Sequence, residues 1–63
     1  MKISDIKAIR EGKKNLEYNG NIYECIAESV GTLTFQNVND DHSIRLPETY
    51  LFTSKECRAI KAE

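Results

Sequence analysis

The chain has 63 residues with a formal net charge of −1, 40% apolar and 30% charged side chains, one Pro and three Gly, which allows one small core and excludes disordered and collagen-like classes. The near-neutral balance argues against an electrostatic nucleic-acid binder and against an acidic imitation of DNA. No apolar run approaches the ~20 residues of a membrane span, and Met1-Lys2-Ile3-Ser4-Asp5 lacks the apolar stretch of a signal peptide, so one soluble, cytoplasmic domain over residues 1–63 is expected.

Residues 1–14 hold five Lys or Arg against Asp5 and Glu11, whereas residues 15–63 hold four against eight acids. The split coincides with a change of hydrophobic period, from helix to strand. Ser4 is placed to cap a short helix and Asp5 to complement its dipole, while Lys7 and Arg10 suit the C-terminal end. Gly12 supplies the left-handed residue that stops it. Ile3, Ile6 and Ile9 form an i, i+3 stripe. A helix this short is marginal alone, so the stripe must pack against something else.

Asn19-Gly20, between Asn15–Tyr18 and Asn21–Ala27, predicts a hairpin with a type I′ turn, because both central residues need positive φ. That register sets Tyr18 opposite Asn21 and Leu16 opposite Tyr23. Leu16, Tyr18, Tyr23, Cys25 and Ala27 then share one face, and Ile22 and Ile26 fall on the other. Beyond a turn at Ser29-Val30-Gly31, Leu33 and Phe35 alternate with polar residues as a half-buried strand requires. Asn37–Asp41 reads as a loop whose side chains bond their own backbone. Ser43–Leu46 returns as a strand ended by Pro47, which opens a helical turn that inserts Leu51 and Phe52 into the core. Residues 55–61 make the last strand. The expected fold is α+β and mostly β: a short N-terminal helix, then a strongly bent five-stranded antiparallel sheet, an SH3-like small barrel.

The sequence is poor in catalytic constellations. Cys25, His42 and Cys57 show no metal-ligand spacing, and no metal or other cofactor is expected. Cys25 and Cys57 are too few for a disulfide scaffold and read as reduced core thiols. His42 is the one imidazole and lies in a loop, so a nucleophile would have no second partner. Glu17 and Glu24 lack a cleft that would separate their pKa values. The chain therefore reads as a non-enzyme. What stands out is local: Lys7, Arg10, Lys13 and Lys14 form a basic cluster with Tyr18 and Tyr23 close by in sequence, a combination that can hold phosphates and stack bases.

The run Ile3-Ser4-Asp5-Ile6-Lys7-Ala8-Ile9-Arg10-Glu11-Gly12-Lys13-Lys14, followed by an Asn-Gly hairpin, resembles the start of a family of small phage-encoded domains. That family includes the Thoeris anti-defence proteins, which sequester a cyclic ADP-ribose signal. The resemblance is specific over residues 3–14. Tyr18 and Cys57 stand where signal-binding members carry Trp, a residue absent from this chain. It implies a small phage or prophage protein that binds and inhibits a host protein, or alternatively a sponge for a cyclic nucleotide-type signal. Arg10, Lys13, Lys14, Tyr18 and Tyr23 are the expected binding residues. Ile22 and Ile26, apolar on the outer face of a small sheet, are the expected interface of a homodimer.

Overall fold

A computed structural model describes residues 1–62. Its elements run α1 (Ile3–Arg10), β1 (Lys14–Tyr18), β2 (Asn21–Ser29), β3 (Thr32–Asn37), β4 (Ser43–Pro47), α2 (Glu48–Thr53) and β5 (Cys57–Lys61). The five strands form one antiparallel sheet in the order β4-β3-β2-β1-β5. The ladder stops at β4 and β5, so the closed SH3-like barrel expected from the sequence gives way to an open sheet with both helices on one face.

The helix stop works as its sequence predicts. Gly12 has φ 81°, its N–H bonds the Ile9 carbonyl at 3.1 Å, and the Lys13 N–H bonds the Ala8 carbonyl at 2.8 Å. Those two bonds are the Schellman pair, satisfying carbonyls that the helix end leaves free. The start differs. Ser4 is not the cap: the helix begins two residues earlier than that cap would set it, at Ile3, Lys2 is the extended residue before it, and no side chain caps it. Met1 packs against the core and fixes the chain ahead of Ile3, so the Lys2 carbonyl becomes the first acceptor, for the N–H groups of Asp5 and Ile6.

Asn19 (φ 52°) and Gly20 (φ 80°) make the tight turn, and Leu16 faces Tyr23 while Tyr18 faces Asn21. Further along β2 the simple alternation fails. Cys25 opposes Phe35 but Ala27 opposes Thr34, leaving Ile26 as an extra residue in a bulge. The bulge reverses the parity of β2, so Ala27 joins Thr34 on the outer face instead of Leu16 and Tyr23 in the core. Ile26, the extra residue, is 52% exposed, and Ile22 is half-buried four residues before it, about 13 Å away along the strand at roughly 3.3 Å per residue.

The core is the helix-covered face. Ile9, Leu16, Leu33, Phe35 and Leu51 are fully buried, with Ile6, Tyr23 and Cys57 nearly so. Burying each of the larger side chains contributes about 1.5–3 kcal/mol. Three expectations about apolar residues are corrected. Ile3, at the start of the stripe, is 70% exposed because nothing extends past α1 to cover it. Phe52 is 54% exposed, since neighbouring positions on a helix are about 100° apart and only Leu51 can point inward. Pro47 precedes the helical turn rather than opening it: with ψ 150° it still pairs with Thr32 as the last residue of edge strand β4, where no N–H is needed. The Gly31 carbonyl then receives the Glu48 N–H at 2.8 Å and ties the β2–β3 turn to the start of α2.

No helix among the described residues is long and apolar enough to cross a membrane.

Candidate functional site

Each expected basic residue has its own carboxylate. Arg10 donates to Glu48 Oε1 at 2.6 Å, Lys14 to Asp5 Oδ1 at 3.0 Å, and Lys13 Nζ stands 3.5 Å from Glu11 Oε1. The cluster is therefore largely neutralised by partners that are near in space and, for Glu48, remote in sequence. Among the described residues Lys7 has no ion-pair partner.

The two tyrosines are not brought to these cations as a stacking platform. Tyr23 is 7% exposed and part of the core. Tyr18 lies at the hairpin end of β1, four residues from Lys14 and so about 13 Å away along the strand. Its ring stands edge-on to Tyr50, centroids 6.2 Å apart at 83°, and the two hydroxyls share a hydrogen bond at 3.3 Å. The shared hydrogen bond and the repulsion that two phenolates would exert hold the Tyr18 phenol above its usual range, with Glu56 adding to the effect.

The thiols are separate. Cys57 is buried opposite Tyr18, whereas half-buried Cys25 lies at the middle of β2, four residues beyond Asn21, and its Sγ contacts the Ala27 carbonyl at 3.5 Å. Those rows are about 13 Å apart along the strands, well beyond the ~7 Å limit between bridgeable Cα atoms. Burial raises both thiols from their usual pKa. His42 is exposed beside Asp40 at 3.2 Å, in a loop shaped by two side-chain turns: Asn37 Oδ1 accepts from the Asn39 N–H and Asp40 Oδ1 from the His42 N–H, both at 2.8 Å. The His42 N–H lowers the Asp40 pKa.

What the fold assembles instead is a groove between α1 and α2. It has a volume of about 300 Å³, with Ile6 beneath, Ile3 and Phe52 at the sides, and Lys7, Arg10, Glu48 and Thr49 around the rim. The Arg10–Glu48 pair links the end of α1 to the beginning of α2 at this rim. Exposed Ile3 and Phe52 beside a nearly buried Ile6 make an apolar surface with a polar border, the anatomy of a small protein-binding patch. Sequence reasoning assigned Ile3 and Phe52 to the core and so missed this groove. The available signal was the adjacency of Leu51 and Phe52, which one helical turn cannot bury together.

Compared with protein-family models, curated proteins and solved structures, the chain matches none.

Proposed function

We propose that the chain is a non-enzymatic binding domain that inhibits a host protein by occupying part of its surface, in the manner of a small phage or prophage protein. The observation that carries this reading is the α1–α2 groove, where Ile3 and Phe52 are held exposed next to Ile6. An apolar anchor of this kind supplies most of its binding energy through a few well-packed side chains, and the Arg10–Glu48 pair and Lys7 give the rim its orientation. The phage and inhibitory parts rest on the resemblance over residues 3–14.

The sponge for a cyclic nucleotide-type signal has less support. Tyr23 lies in the core, and Arg10, Lys13 and Lys14 are each engaged with a carboxylate.

The test is affinity capture from host lysate with the wild-type chain and with Phe52→Asp in parallel. The proposal expects one protein recovered in stoichiometric amount by the wild type and lost with Phe52→Asp. Recovery of no protein, or of the same protein by both, would contradict it.

A further inference from the structure

The α1–α2 groove has two unlike ends. Arg10, in the last turn of α1, and Glu48, at the start of α2, close one end with their 2.6 Å pair, while Ile3 and Phe52 flank the other beside Ile6. Lys7 stands between them, one helical turn beyond Ile3 and so about 6 Å further along the axis. It is exposed and has no ion-pair partner among the described residues. Among the described residues Glu48 is the one carboxylate that lines the groove, and its Oε1 is taken by Arg10. The lining groups therefore leave one positive charge uncompensated, next to an apolar floor. The Met1 amino group is engaged by the Phe52 carbonyl at 3.1 Å and is not among the lining groups.

We propose that the segment this groove accepts is a Leu- or Phe-sized apolar side chain with a single carboxylate about 6 Å beyond it. The inference rests on the groove being the binding site and adds the chemistry of what enters it. The apolar side chain lies over Ile6 between Ile3 and Phe52, where its burial supplies most of the affinity. The carboxylate sits at the Lys7 ammonium, with Thr49 and the guanidinium N–H groups that Glu48 leaves free on the same rim.

The charges decide both the sign and the number. A cationic segment would meet Lys7 and Arg10, with only an already paired Glu48 to receive it. A doubly charged phosphate ester would exceed the one free positive charge and be repelled by Glu48. A purely apolar segment would strip water from Lys7 and give it no partner in return. At about 300 Å³ the groove is at the lower limit of ligand sites, which suits one side chain with its acid rather than an extended acidic tract.

The test uses a probe of this chemistry, phenylbutyrate, with phenylbutylamine as its cationic counterpart. Both are titrated into the labelled chain and into Lys7→Glu and Phe52→Ser, and backbone amide NMR shifts are read. Lys7 and Phe52 are exposed, so the variants keep the fold. The acid should shift Ile3, Lys7, Thr49 and Phe52 with a dissociation constant of roughly 1–10 mM, the range open to a ligand of about a dozen heavy atoms. It should bind at least about fivefold more tightly than the amine. Lys7→Glu should reverse that order, and Phe52→Ser should weaken both probes by about threefold or more. Absence of groove shifts with the acid overturns the proposal, as does equal binding of acid and amine, or an order that survives Lys7→Glu. Failure of the groove as a protein-binding site is read separately, in the capture experiment. Acid-selective probe binding with no protein captured would overturn that reading alone and assign the same ligand chemistry to a free amphipathic acid.

Discussion

Arg10 and Glu48, 38 residues apart in sequence, meet across 2.6 Å and join the last turn of α1 to the first residue of α2. The pair defines one rim of the groove. Its side chains are 40% and 30% exposed, which limits its worth as a stabilising contact. Glu48→Gln should therefore cost less than about 1 kcal/mol in urea unfolding, and less again at high salt. A cost above about 2 kcal/mol would mean that the pair holds the two helices together rather than shaping the groove between them.

Two turn residues should respond in opposite directions. Gly20, at φ 80°, has open space where a Cβ would stand, so Gly20→Val is strained by backbone conformation alone and should cost about 1–3 kcal/mol. Val30 already occupies such a position, with φ 48° and 97% exposure. Val30→Asn relieves a β-branched residue of a left-handed conformation and loses no packing, and should stabilise by about 1 kcal/mol. Thermal melts of the two variants check both signs.

These turns also show what could be read in the sequence. Asn19-Gly20 announced both its turn and its register because few residues accept positive φ, and Gly12 announced the end of α1 for the same reason. The bulge at Ile26 carries no Gly or Pro to mark it, and it was enough to turn Ala27 away from the core. The pairing of Arg10 with Glu48 was equally hidden, since it follows from the path of β1 through β4 rather than from local spacing. A cation cluster counted along residues 7–14 therefore overstated the free positive charge.

The thiols and Tyr18 set an alkaline limit. Cys25, Cys57 and Tyr18 are all held neutral more firmly in the fold than in the unfolded chain, the thiols by burial and Tyr18 by its hydrogen bond with Tyr50. Stability from this source is complete below the unfolded values and falls as pH rises past them, from 9.0 for the thiols and 10.0 for the phenol. The melting temperature should decline over that range. In a spectrophotometric titration, Tyr50→Phe should return Tyr18 toward the ordinary tyrosine value. An unchanged titration would remove Tyr50 as the cause.

Adjacent residues on α2 should separate stability from binding. Leu51 is fully buried, and Leu51→Ala should cost about 2–5 kcal/mol through the cavity it leaves. Phe52→Ser exposes no new core and should change stability by less than about 0.5 kcal/mol. If Phe52→Ser unfolded the chain as readily as Leu51→Ala, the side chain would be part of the core and not an anchor for a partner.

The most direct measurement of the central claim is a backbone amide NMR titration of the labelled chain with the protein it captures. Shift changes should concentrate at Ile3, Lys7, Thr49 and Phe52, on the two sides of the α1–α2 groove. Changes confined to the β1–β2 hairpin tip or to the outer face of the sheet, with the groove residues silent, would contradict the assignment of the groove as the binding site.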